Sequence, residues 1–212
     1  MTPWLSILIP ITPDRKEGMQ ELLKRLGGFT LCLHAFADDT SWIKTMNDDK
    51  RGVQVIVYQD NKELTLGEKR ESLYKLAGGM FSWQIDSDDL VSEDAVDLFL
   101  AAIKSNPNIP CITFKENCMM NGEYKSSRHS IEYEKWQDGF DGYDFVRCAF
   151  YKNVIRTDIA RSVPFPKIRW SEDEQWSMAV KPFLTEEIHI DKEIYFYIYE
   201  PKDTHNERYG IV

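Results

Sequence analysis

The run Met80-Phe81-Ser82-Trp83-Gln84-Ile85 empties directly into Asp86-Ser87-Asp88-Asp89, and this junction constrains the fold more than any other stretch of the 212-residue chain. Such an apolar run belongs to a buried strand, yet three carboxylates at its end are electrostatically costly unless positive charge meets them. Carboxylate oxygens are hard ligands suited to Mg²⁺ or Mn²⁺. Mg²⁺ is usually held by one or two carboxylates plus substrate phosphates, so the strand end reads as a place for a metal and a diphosphate. The same residues also fit a solvated acidic turn ahead of a helix starting at Ser92 with Glu93 and Asp94. On extended backbone Asp86 and Asp88 point the same way, so they converge on one ion only if the strand persists that far.

Strands and helices alternate through the first half. Residues 5–11 read as a buried parallel strand ended by Pro10 and Pro13. Residues 15–26 put Met19, Leu22, Leu23 and Leu26 on one helical face, and Gly27-Gly28 stops the helix. Residues 29–36 read as a strand, followed by a polar connection from Asp38-Asp39 to Asp48-Asp49 with a short helix around residues 42–46. Residues 53–58 are β-branched and bounded by Gly52 and Asp60, which predicts a strand. Gly67-Glu68-Lys69-Arg70 opens a helix that runs to Ala77, and Gly78-Gly79 turns the chain into the acidic strand. Residues 92–105 form a helix with Val96, Phe99, Leu100 and Ile103 inward and Pro107 closing it. This alternation implies crossover units and a largely parallel sheet.

The texture changes after Pro110. Residues 111–120 and 123–133 flank Asn121-Gly122, a two-residue hairpin signal. Residues 143–151 and 193–200 read as strands, and Ser171 with Glu174 forms a capping-box pattern starting a helix to Lys181. The second half is therefore expected to be more antiparallel than the first.

A net charge of −9 argues against a general nucleic-acid-binding surface, although a local basic groove is compatible with it. No apolar run approaches the ~20 residues of a membrane span, and the N-terminus lacks a signal-like stretch. Cys32, Cys111, Cys118 and Cys148 show no C-x-x-C spacing and read as buried free thiols, which makes a cytoplasmic location the expectation. There is no G-x-S-x-G elbow and no Walker or Rossmann glycine loop, so hydrolase-triad and P-loop chemistry have no support.

The order of strand, strand, basic helix and acidic strand end resembles the family 2 glycosyltransferases of the GT-A fold, in the small soluble form found in bacteria and phages. The resemblance covers residues 5–89 and resumes at Trp170-Ser171-Glu172-Asp173, which looks like the family's Glu-Asp motif. It implies an α/β fold, a GT-A-like, Rossmann-type mixed and largely parallel sheet flanked by helices. It further implies one domain over residues 1–212, with a nucleotide-binding half at 1–90 and an acceptor-binding half at 91–212. The implied activity is metal-dependent, inverting transfer of a sugar from a nucleoside-diphosphate donor, a UDP-sugar by family habit, to a hydroxyl acceptor. That acceptor is a glycan, a lipid-linked intermediate, a protein or a hydroxymethylated base in viral DNA, the last placing the enzyme in a host cytoplasm. A nucleotidyltransferase shares this kind of sheet but is expected to carry a glycine-rich loop after its first strand, where residues 11–17 have no glycine. A catalytically silent sugar-nucleotide-binding module is the remaining alternative.

The resemblance also implies residue roles. Asp86, Asp88 and Asp89 would hold Mn²⁺ or Mg²⁺, with Asp86 also near the ribose and His205 as a further ligand from the C-terminal segment. Pro10 and Thr12 look like the family's Pro-Thr turn at the nucleotide pocket, with Ile11 interposed. Asp60 would accept a hydrogen bond from the base, where an Asx-type turn with Asn61 is the alternative. Arg70 and Lys69 would face the nucleotide, where a solvated helix face is the alternative. Asp173 would be the general base, with Glu172 as substitute, although acids at a helix start are commonplace. Trp170 and Trp176 are candidates for a sugar platform, with burial in the core as the commoner fate.

Overall fold

β1 (Leu5–Ile11) is buried at all seven positions, as a strand covered on both faces must be. Its side chains divide with period two: Leu5, Ile7, Ile9 and Ile11 join one apolar cluster and Leu8 the other. The computed structural model describes residues 2–13, 19–29, 41–168 and 171–199. In it β1 lies between β3 (Val53–Gln59) and β4 (Phe81–Gln84), parallel to both. The order of the main path is completed by β2 (Trp42–Asp48) outside β3 and, beyond β4, by β10 (Val154–Arg156), β6 (Cys111–Met120), β7 (Glu123–His129), β9 (Tyr143–Arg147) and β8 (Gln137–Phe140).

Helices cover both faces. α1 (Met19–Arg25) and α3 (Ala95–Ser105) pack their apolar residues into the cluster that holds Trp83 and Phe114. α2 (Leu66–Leu76), α4 (Thr157–Ser162) and α5 (Glu172–Val180) meet in the other cluster through Leu73, Tyr74, Ala160 and Trp176. Trp176 stacks on Phe165 with parallel rings 4.7 Å apart, so it is a core residue and not a platform.

The second half is more antiparallel, as expected. β6 and β7 form a hairpin through Asn121 and Gly122, whose φ values of 54° and 81° are those a tight two-residue turn demands. β11 (Glu187–Tyr199) runs parallel to β6 from Glu187↔Cys111 to Tyr199↔Met120, and antiparallel to β5 (Leu90–Val91). The sheet is mixed, as expected: β3-β1-β4 at the centre is parallel throughout, and β6-β11 and β7-β9 are the parallel pairs within the otherwise antiparallel second half.

Several local expectations are corrected. The short helix around residues 42–46 is β2, paired in full register from Trp42↔Gln59 to Asp48↔Val53, because the open edge of β3 offers a ladder that an isolated polar turn cannot match. The helix expected from Ser92 begins at Ala95, and Asp94 makes no side-chain cap bond. Ser171 has φ 56° and caps nothing, since a left-handed residue cannot present its hydroxyl as an extended cap does. The capping box sits instead at Thr65, whose hydroxyl accepts from the Glu68 amide while Glu68 accepts from the Thr65 amide. The strands expected to reach residues 133 and 151 end at His129 and Arg147, and the last strand starts earlier, at Glu187. Cys111, Cys118 and Cys148 are buried free thiols. Cys32, Trp170, His205 and residues 30–36 of the expected strand lie outside the described residues.

Candidate active site

A cavity of about 630 Å³ opens where β1 and β4 end, and Pro10, Thr12, Lys69, Arg70, Asp86 and Asp88 line it together with Glu172 and Asp173. Residues from both halves of the sequence resemblance therefore meet at one opening.

The acidic segment is a turn and not a strand continuation. β4 ends at Gln84, the Ile85 amide still bonds to the Leu8 carbonyl, and then the Asp89 amide donates to the Asp86 carbonyl at 3.1 Å. Asp86 and Asp88 consequently do not alternate along extended backbone, and Asp86 and Asp89 turn to different partners. Asp86 accepts from Arg70 Nη2 at 2.9 Å and from the Tyr151 hydroxyl at 2.7 Å. Burial opposes its ionisation, but Arg70, Lys152 and Tyr151 outweigh burial and hold its pKa below the ordinary value. Asp89 turns inward: Oδ2 accepts from the Tyr195 hydroxyl at 2.7 Å, Oδ1 from the Ile198 amide at 3.3 Å, and Lys152 Nζ is 3.8 Å away. Its burial pushes its pKa well above the usual range despite that lysine. Asp88 is half-buried at the cavity wall, as Asp86 is. Among the described residues no three His, Cys, Asp or Glu side chains converge as a ready-made metal cage.

Arg70 is 1% exposed and serves both acidic motifs. Its guanidinium pairs with Asp86, lies 3.6 Å from Glu172 Oε1, and stacks on the Tyr151 ring. Desolvation works against its charge, but Asp86, Tyr151 and Glu172 overcome it and raise the pKa, so the cation persists. Lys69, one residue earlier on α2, donates to the Ile11 carbonyl at 3.2 Å and pairs closely with Asp60. Asp60 also accepts from the Leu64 amide at 3.0 Å. At 1% exposure it stands behind Lys69, not on the cavity wall, and closes the turn from 60 to 64.

Glu172 and Asp173 differ sharply. Glu172 is 5% exposed and faces Arg70; burial raises its pKa against that cation, contrary to the low value a helix start alone suggests. Asp173 is half-buried at the cavity wall, with Oδ1 accepting from the Glu174 amide at 2.8 Å.

Sequence reasoning missed the turn at residues 150–153. The Asn153 amide bonds to the Phe150 carbonyl, and Asn153 Oδ1 accepts from the Phe150 amide. This turn delivers Tyr151 to Asp86 and Lys152 to Glu116, 2.6 Å away. Glu116 also meets His129 Nε2 at 3.1 Å, so a buried Lys152–Glu116–His129 chain backs the acidic turn. The signal available was Lys152-Asn153 following an aromatic pair, a turn-forming sequence that a continuous strand to residue 151 obscured.

The sequence matches no protein-family profile, and no curated protein is similar to it by sequence. Solved structures are similar in shape. Staphylococcus aureus TarS 1–349 superposes with TM-score 0.60 at 16% identity over 92% of this chain and 60% of its own. The same fragment in complex with UDP-GlcNAc gives 0.58 at 14% identity, over 93% of this chain and 59% of that one. The mannosyltransferase PcManGT from Pyrobaculum calidifontis, in complex with GDP-Man and Mn²⁺, gives 0.53 at 9% identity over 98% of this chain and 60% of its own. The chain therefore spans about three-fifths of the length of these neighbours. At this identity the likeness shows the fold: a mixed α/β, GT-A-like glycosyltransferase fold.

Proposed function

We propose that this chain is a metal-assisted glycosyltransferase that moves a sugar from a nucleoside-diphosphate donor to a hydroxyl acceptor with inversion. The observation that carries the reading is that Arg70 joins Asp86 to Glu172, and that Asp88 and Asp173, half-buried like Asp86, lie on the wall of the same cavity. A metal site and a base are what the transfer needs. The bound UDP and UDP-GlcNAc of TarS and the GDP-Man and Mn²⁺ of PcManGT support the class of donor, and TarS favours uridine.

The donor set fits Mn²⁺ or Mg²⁺ as an open site. Asp88, with Asp86 beside it, would supply the hard oxygen ligands, and a diphosphate and water would complete the shell; Asp89 is committed to Tyr195. When bound, the ion supplies Lewis-acid stabilisation of the departing diphosphate. The remaining work falls to side chains. Arg70 and Tyr151 fix the Asp86 carboxylate in its ionised form, and the Lys69–Asp60 pair ties the Ile11 carbonyl at the end of β1 to the 60–64 turn. Asp173 takes the proton from the acceptor hydroxyl as its oxygen bonds to the anomeric carbon, and the diphosphate leaves with the electron pair. Glu172 serves this step by holding Arg70, and through it the acidic turn.

Thermal unfolding with UDP, UDP-GlcNAc or GDP-Man, each with and without Mn²⁺, tests the reading, because a ligand that binds only the folded state raises its apparent stability. A metal-dependent rise with one of them is expected. No rise with any would contradict it.

Among the described residues no helix is long and apolar enough to cross a membrane.

A further inference from the structure

We propose that the cavity extends over the face of β6, β7, β9 and β11 and there binds the acceptor as a neutral saccharide lying on an aromatic floor. The inference rests on the donor reading of the acidic end. Strand register decides which side chains share the floor. Glu116 pairs with Tyr195 and with Ser127, and Ser127 pairs with Phe145, so these side chains stand on one face. Two and four residues along, Cys118 pairs with Tyr197 and Met120 with Tyr199 on that same face. Ser127, Phe145, Tyr197 and Tyr199 all line the cavity that holds Asp88 and Asp173.

The floor has the chemistry of a sugar subsite. Phe145, Tyr197 and Tyr199 are half-buried and offer ring surface for the C–H face of a pyranose. Arg147 sits 5.0 Å from the Phe145 ring centre and 5.0 Å from that of Trp136, placing guanidinium donors at the rim. Among the described residues the Ser127 hydroxyl, buried in the floor, has no hydrogen-bond partner, although a buried hydroxyl normally has one. A ligand hydroxyl or a water entering the floor would satisfy it.

Charge decides between a saccharide and a polyanion. Binding to a nucleic acid backbone draws on free Lys and Arg. Four cations on this wall are already ion-paired: Lys69 with Asp60, Arg70 with Asp86, Lys152 with Glu116 and Arg147 with Asp138. With the chain at net −9, the face of β6, β7, β9 and β11 has little positive charge to offer a nucleic acid backbone.

Saturation-transfer NMR with maltotriose, cellotriose and chitotriose, in the presence of UDP and Mn²⁺, tests the assignment on the full chain. A short single-stranded DNA bearing 5-hydroxymethylcytosine is the competing probe. At least one trisaccharide is expected to bind, and Phe145→Ala and Tyr199→Ala are each expected to weaken it by about tenfold. Both variants should retain wild-type UDP affinity by calorimetry, which shows that they fold. Binding of none of the trisaccharides, binding unchanged in both variants, or tighter binding of the DNA would overturn the proposal. UDP binding without saccharide binding refutes the floor and spares the donor reading; floor-dependent saccharide binding without UDP binding does the reverse.

Discussion

The guanidinium carbon of Arg70 lies 3.4 Å from the centre of the Tyr151 ring, and the Tyr151 hydroxyl donates to the carboxylate that Arg70 also holds, Asp86. Three side chains from α2, the acidic turn and the 150–153 turn thus lock one another. Only a flat cation can both stack on the ring and bond the carboxylate from its edge.

Arg70→Met should therefore be severe. It leaves Asp86 and Glu172 without their shared cation, a loss of about 3–5 kcal/mol for a buried pair broken on one side. Arg70→Lys keeps the charge but loses the stack and should recover only part of this. Urea unfolding of the two variants measures the difference; wild-type stability in Arg70→Met would show that the pair is not structural.

Chemistry and architecture separate at residues 172 and 173. Asp173→Asn should lower turnover by about 10²–10⁴-fold with nucleotide affinity unchanged. Glu172→Gln should instead reduce stability, because it removes a carboxylate facing Arg70. Steady-state rates set beside calorimetric affinities distinguish them, and a full rate in Asp173→Asn would remove the base from that residue.

Acid should destabilise the fold through His129. Burial lowers its pKa below the ordinary 6.5, although the Glu116 carboxylate pulls the other way. The folded protein thus keeps a neutral ring where the unfolded chain takes up a proton. This contribution is fully present above 6.5 and is lost as pH falls through the lowered folded value. Asp89 has the opposite slope, since its raised pKa costs stability as pH rises. Comparing wild type with His129→Gln isolates the histidine: between about pH 7 and about pH 5.5 the variant should lose less unfolding free energy than wild type. Equal losses would assign the acid sensitivity elsewhere.

Gly67 lies in the first turn of α2, where a Cβ would collide with the Pro166 carbonyl oxygen. Gly67→Ala must push α2 away from that segment, and Lys69 and Arg70 move with it. A loss of about 1–3 kcal/mol is expected, together with weaker UDP binding. Thermal unfolding and titration check both, and an unaltered variant would mean that the 166 segment yields freely.

Much of the parallel centre was legible because its signals are local. The apolar runs of β1, β3 and β4 and the amphipathic face of α3 need no partner to be recognised, and Asn121-Gly122 specifies its own turn. β2 was not legible, because a half-exposed strand with Lys44, Asn47 and Asp48 gains its conformation from the edge of β3. At the site, residue types announced Asp86, Arg70 and Asp173, but not their division of labour. Whether a carboxylate faces the cavity or the core depends on partners far away in sequence. Asp89 meets Tyr195 from β11, and Asp60 meets Lys69 from α2. The strand extension that would have aligned Asp86 and Asp88 gives way to a turn, with both carboxylates half-buried at the cavity and Asp89 buried against Tyr195.

The most direct test of the central claim is calorimetric titration of UDP into wild type and Asp88→Asn, with Mn²⁺ and with chelator. The account predicts binding by wild type that chelator abolishes, and no metal-dependent binding by Asp88→Asn with its unfolding midpoint unchanged. Equal, metal-dependent affinity in both proteins would contradict it.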